Sequence, residues 1–528
     1  MFFQDATAQE LSVTSVPAPI GGLNARDSLV AMPATDAIRL TNFWPQSYGV
    51  TVRKGYKKHA TGMVDKLGTV GQWSSTTGFQ KMFAWAGTSV WDITTPGPVG
   101  VPLITDLSNS RWDLVSLVNA SGSHLLGVNG ADDGFAYDES GLHVLVAGDG
   151  TTAYTWSGID PKNATNIEIH QRRLWAVEKD SSVGWYLPPD AIYGVFESFD
   201  FGPLFFSGGY LEYLSTWTLD DGNGAEDHLV AVSNNGVAAV YGGTDPSDDT
   251  KWHLVGVYNI GQPVRGRRAL AKVGGDLYIL TTQGVVSMVN MLSSTKVNEA
   301  AARFKTDKVQ FLLSELVNNY SDEEDWQLIY VPSINMLVVN VPTGIYASNQ
   351  QLVSNQITEA WAMFNGMDAA VWTTVSAQPF FGDYAGTVYK AWTGGLDNIE
   401  LDDTGGTSIT TEVQQAYNYF GSPGSQKQIG LYRVNWVSSQ PVAYNSAILY
   451  DFGSKTLITP DAIPRSVGAL WNVALWGVDT WGGGSSTERN WSGAEGMGVA
   501  ASILIKSRSN ADAMWVTTDY SFVNGGLL

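Results

Sequence analysis

Cysteine is absent from all 528 residues, which excludes disulfides and thiolate metal sites. Histidine is scarce. His59, His124, His143, His170, His228 and His253 never fall three to five residues apart, so no helix-borne histidine pair for a metal exists. Charge is also thin, at 15% against the usual quarter of a globular chain. Basic residues are the scarcer kind, 30 against 51 acidic, and the net charge is −21. Such a chain does not wrap nucleic acid with a basic face. The acidity suits a surface past which nucleic acid slides without sticking, and it equally suits plain solubility. Long apolar runs are missing: "GVAASILI" at 498–505 falls far short of the roughly 20 residues that cross a bilayer. The opening "MFFQDATAQELS" has neither a basic leader nor a long apolar core, so the expectation is a protein without signal peptide or membrane segment, made in the cytoplasm.

Signatures of chemistry are missing too. There is no phosphate-binding loop, no nucleophile elbow and no dinucleotide fingerprint. "DDGNGAED" at 220–227 sets Asp221, Asn223, Glu226 and Asp227 beside a glycine turn, which fits either calcium or a solvated turn. Its later positions depart from the EF-hand loop. No pair of carboxylates for glycoside cleavage stands out among so many acids. The expectation is a protein that is not an enzyme, with no catalytic residue, no cofactor and no metal.

What the chain does have is glycine (57), tryptophan (20) and a recurring local pattern. Two short apolar strands flank a tight Gly, Asn or Asp turn at 81–94, 124–145, 172–187, 228–243, 275–289, 335–348 and 378–394. The turns recur at intervals of roughly 40–60 residues, the period of β-propeller blades. One blade is a sheet that cannot cover both of its faces; neighbours cover them, and closing the ring removes the outer faces. Six or seven blades are predicted over 67–400, the rival being a row of β-sandwiches. Val309, Leu312, Leu313, Leu316, Val317 and Tyr320 mark an amphipathic helix, with Asp307 and Gln310 as its capping box. With "NEAAARF" (298–304) it forms a helical insertion near 298–320, which packs either on its own blade or on a neighbouring molecule. "DDTGGTS" near 402 marks a boundary, beyond which long alternating strands predict an antiparallel β-sandwich-like domain over 401–528. Tyr432, Val434 and Trp436 share one face there, and Ile448, Tyr450 and Phe452 another. Residues 1–66 are left as an arm outside the regular blades or a segment that closes the ring. The fold class is thus mainly β, a propeller with a sandwich-like second domain.

Two features suggest contact surfaces. Trp471, Trp476 and Trp481 recur at intervals of five, which suits neither one strand face nor one helix stripe. They serve a subunit interface or an internal cluster; tryptophan favours interfaces because it buries much area for little conformational entropy. Arg53, Lys54, Lys57 and Lys58 form one basic cluster, and Arg265, Arg267, Arg268 and Lys272 a second. Either they meet an acidic partner or DNA phosphates, or they pair with acids nearby.

The stretch "PAPIGGLNARDSLVAMPATDAIRLTNFWPQSYGVTVRKGY" (17–56) resembles the opening of virion structural proteins from tailed bacteriophages. "TEAWAMFNGMDAAVW" (358–372) with "FFGDYAGTVYKAWTG" (380–394) is similar to a late propeller blade of those proteins. "QQAYNYFGSPGSQKQIGLYRVNW" and the tryptophan repeat resemble their C-terminal domain. The nearest type is the tail nozzle, or tail tubular protein B, of short-tailed phages. The resemblance implies a virion subunit in a homo-oligomeric, sixfold ring below portal and adaptor, beside tail fibres or other tail proteins. DNA would pass through the ring's bore without specific binding. The motifs are structural, so no catalytic residue is carried over. The alternative is a propeller that binds or cleaves host-surface glycans.

Overall fold

The computed structural model describes residues 11–220, 225–293, 304–343, 349–463 and 486–527. The chain divides into two compact units. One comprises 58–350 and 367–390; the other gathers 1–57, 351–366 and 391–528.

The first unit is a β-propeller of seven blades. Their innermost strands are, in chain order, Leu67–Ser74, Asp113–Asn119, Ala164–His170, Leu211–Asp220, Leu270–Val273, Gln327–Val331 and Val371–Val375. Blades 3 and 4 have four antiparallel strands in sequence order, blades 1 and 5 are built around three, and blade 7 has three consecutive strands with Tyr56–Thr61 as its fourth. Val371–Val375 packs against Leu67–Ser74, so the last blade meets the first and the ring closes within this unit. Six of the seven expected hairpins contain the second and third strands of their blades, as at Gln80–Ala86 with Ser89–Asp92. The turn of the seventh, near 343, runs into residues outside those described.

The blades are held by the apolar side chains between them. Between blades 1 and 2, Trp73, Phe83, Trp85, Trp112 and Phe135 form one cluster. Leu126, Ala136, Ile167, Leu174 and Ala176 fill the space between blades 2 and 3. Trp175, Tyr186, Leu229 and Tyr241 do so between 3 and 4, and Val70, Met82, Val371 and Phe380 between 1 and 7. Alternation along each strand sends residues to both faces, and both faces are buried; this explains why these strands read as nearly continuous apolar runs.

The helical insertion follows blade 5. Helix Gln310–Asn319 buries Leu313 and Val317 and packs against Gly284–Ser287 of that blade. Its start departs from the capping-box expectation. Asp307 opens a 3-10 turn, Asp307–Val309, and neither Thr306 nor Val309 caps through its side chain. Of "NEAAARF", only Phe304 lies among the described residues.

The other unit is a two-sheet sandwich drawn from distant parts of the chain. Ala513–Leu527 pairs with Leu11–Pro17, Ser425–Ser438 and Gly49–Val52. In the second sheet Gly405–Gln415 lies between Asp36–Thr41 and Ala501–Ser509, and Ala443–Tyr450 pairs with Ala501–Ser509. The sheets meet where Tyr432 hydrogen-bonds Ser446 at 2.9 Å and Trp436 packs on Phe43 and Tyr444. Tyr432, Val434 and Trp436 share the buried face, as their alternation requires. Phe452 does not share a strand face with Ile448 and Tyr450, because that strand ends at Tyr450 and Asp451 and Phe452 turn away with φ of 46° and 63°. Of the segment 1–66, the strands up to Val52 are built into the sandwich, while Tyr56–Thr61 lies beside Val388–Ala391 as the outer strand of blade 7, so the segment lends the ring a strand, the second of the two expectations. The compact units divide near 57 and 390.

Candidate functional site: the axial channel

All seven innermost strands line one cavity of about 600 Å³. Neighbouring innermost strands diverge, so their backbone groups cannot all pair as they do within a sheet, and buried ones need other partners. Polar side chains supply them. The Asp113 carboxylate accepts from Asn166 Nδ2 and from the Ile167 amide, both at 2.7 Å. Asn166 Oδ1 in turn accepts from the Leu214 amide at 2.8 Å, so blades 2, 3 and 4 are joined in one chain. Gln327 and the Trp372 backbone exchange two hydrogen bonds, 2.7 and 2.8 Å, between blades 6 and 7.

Arg268 closes the belt on the other side. Its Nη1 donates to Gly68 O at 2.6 Å, and its Nη2 donates to Thr69 Oγ1 at 2.7 Å and Trp112 O at 3.2 Å. Its own carbonyl accepts from the Leu328 amide at 2.8 Å. One residue at the entry to blade 5 therefore holds blades 1, 2 and 6. Burial pushes the guanidinium's pKa down, and so does nearby Arg111, while Asp113 and Asp325 oppose the shift. Arginine stays protonated in proteins, so a cation remains in the belt. Burial raises the Asp113 and Glu168 carboxyls; hydrogen bonds and Arg268 counter it at Asp113, and Lys272, 3.3 Å away, counters it at Glu168.

The loop before blade 5 puts these groups in place. Gly266 has φ +108°, and a Cβ there would lie 1.9 Å from Glu324 O and 2.3 Å from Arg111 Nη2. Only glycine lets the loop pass so close. Arg267 follows with φ +58°, an uncommon conformation for a residue with a side chain. Arg111, Arg265, Arg267, Glu212 and Glu324 surround the channel mouth, a further cavity of about 380 Å³.

The expected contact residues have separate fates. Arg268 is a half-buried cross-tie, whereas Arg265 and Arg267 sit at the mouth. In the sandwich unit, Arg53 is buried against Asp397, Lys54 pairs with Asp512, and Lys57 pairs with Asp403. Lys58 is partly buried. Trp471, Trp476 and Trp481 lie outside the described residues, as do 221–224 of the calcium candidate at 220–227. Among the described residues no group of three or more His, Asp or Glu is arranged to hold a metal. Arg111, Asp113, Asn166 and Glu168 carry no motif in the sequence: Arg111 and Asp113 stand just before and at the start of a strand, and Asn166 and Glu168 alternate with Ile167 and Ile169 in Ala164–His170. Polar residues interrupting the first strand of each hairpin period were the available signal.

No family model matches the chain, and no curated protein matches it. Solved propellers are similar in fold at very low identity. The Dos1 propeller shares 9% identity at a TM-score of 0.38, covering 66% of this chain and 97% of its own. The Cps50 (Swd1) β-propeller domain of Myceliophteria thermophila shares 12% at 0.37, covering 63% and 98%.

Proposed function

We propose that the chain is a structural subunit of a short-tailed phage tail, of the nozzle type, which assembles into a ring and conducts DNA. One observation carries the reading. Segment 17–56 and the strand Ser425–Ser438, which bear part of the phage resemblance, are far apart in sequence yet belong to one sandwich unit, into which the propeller is inserted, while the stretch 358–372 with 380–394 is divided between the two units. A platform built from both chain ends with an inserted propeller suits a subunit that must hold neighbours and still present a separate module. The net charge of −21 per chain accumulates around a ring. Acids lining the bore would repel DNA phosphates from all sides and remove the counterion-release attraction that makes DNA adhere.

Native mass spectrometry and electron microscopy of the full chain, alone and with phage portal and adaptor proteins, test this. A sixfold ring under either condition supports it. A monomer under both conditions, at low and physiological salt, overturns it. Arg265 and Arg267 are the basic residues to replace with serine in such assays. Arg268 is excluded, because its loss would disturb the propeller itself.

A further inference from the structure

The channel mouth is mainly polar, with Tyr210, Asn234 and Gln262 beside its arginines and glutamates and only Pro263 and Val264 apolar. Its 380 Å³ is at the lower end of small-molecule sites, enough for one sugar-sized ligand and too little for a folded segment. Arg111 donates to the Gly266 carbonyl, but Arg265 and Arg267 are poorly used by the chain. Arg265 comes only to 3.9 Å from Asp322, both well exposed, and Arg111 to 3.8 Å from Glu324. Arg267 Nε is 3.4 Å from Glu212. These separations exceed those of good charge-assisted hydrogen bonds, so guanidinium forks remain available to a ligand. Arg268, which is fully engaged a few ångströms of chain away, shows what a satisfied arginine looks like in this loop. The left-handed Arg267 carries backbone strain, which persists only where the surroundings enforce it.

We propose that this mouth binds a small, hydroxyl-rich oxyanion, of the class of sugar acids and sugar phosphates. The arginine forks match carboxylate or phosphate oxygens two at a time. Glu212 and Glu324 accept from hydroxyls, and the amides of Asn234 and Gln262 can both donate and accept. An anion without hydroxyls would set its charge against the two glutamates with no donor between them, and a neutral sugar would leave the guanidiniums unfilled. The site belongs to the propeller alone and does not depend on the tail assignment.

Titration calorimetry on the full chain, with glucuronate, glucose 6-phosphate, inorganic phosphate and glucose as probes, tests the proposal. Saturable binding of glucuronate or glucose 6-phosphate below about 10 mM, stronger than that of phosphate or glucose, is expected. Whichever of the two binds more tightly identifies the oxyanion. The double variant Arg265→Gln, Arg267→Gly should weaken binding about tenfold or more, glycine being chosen because it suits the positive φ. Arg172→Ala, an exposed arginine paired with Asp190, should leave it unchanged. Absence of saturable binding by both hydroxylated anions overturns the proposal. So does binding that the double variant leaves intact while circular dichroism shows it folded. If that variant fails to fold, Arg265→Gln alone, at an exposed side chain, must still weaken binding at least threefold.

Discussion

Arg53 and Asp397 are 344 residues apart in sequence, and their side chains meet in a two-point ion pair, with both N–O separations 2.7 Å. The guanidinium is almost wholly buried, and it also donates to Asn42 Oδ1 at 2.9 Å and Asn365 O at 2.8 Å. Burial pushes the Asp397 carboxyl up, and Arg53 pulls it back. Breaking such a pair strands a buried charge. Arg53→Ala should cost about 3–5 kcal/mol in denaturant unfolding. Arg53→Met with Asp397→Leu should cost less than the single change. A single variant within 0.5 kcal/mol of the parent would show that the pair contributes little.

Arg268 makes a parallel prediction in the propeller. Its removal takes from Gly68 O the donor at 2.6 Å and leaves Trp112 O only Thr69 Oγ1, and Arg268→Ala should cost about 2–3 kcal/mol. Amide exchange should accelerate first in Leu67–Ser74 and Asp113–Asn119. Exchange unchanged in both strands would mean that the cross-tie does not hold the blades.

His170 sets a pH dependence. It is buried on blade 3, and burial lowers its pKa to about 4 from the ordinary 6.5. Between these values the unfolded chain binds the proton and the folded chain does not, so stability falls as pH drops from 6.5 towards 4. From pH 7 to pH 5 the parent should lose about 2 kcal/mol more than His170→Gln does. Equal losses in the two proteins would exclude His170 as a source of acid sensitivity.

Two glycines with positive φ should respond differently to alanine. Gly266→Ala forces a Cβ against Glu324 O and should cost about 3 kcal/mol or more, with a clear fall in melting temperature. At Gly274, φ +59°, a Cβ would meet nothing within 4 Å, so Gly274→Ala should cost only about 1–2 kcal/mol. Similar melting temperatures for the two variants would mean that the loop before blade 5 moves freely.

The local pattern of the sequence was enough to determine the mainly β character, the propeller hairpins and the helix that follows blade 5. Each rests on contacts a few residues apart: Gly87 with φ +52° in the turn between Ala86 and Ser89, or Leu313 and Val317 one helical turn apart. Tertiary structure alone decided the number of blades, because closure is the packing of Val371–Val375 on Leu67–Ser74, some 300 residues away. It also decided that Leu11–Pro17 and Gly49–Val52 join Ala513–Leu527 in the sandwich, since periodicity specifies which residues share a face but not which strand lies alongside. The same holds for "VRGRR". Its charges are equal on paper, but Gly266 and the positive φ of Arg267 direct Arg268 into the blades and leave Arg265 and Arg267 at the mouth. Charge is written in the composition; its burial is set by backbone geometry and by strands that the chain brings together only on folding.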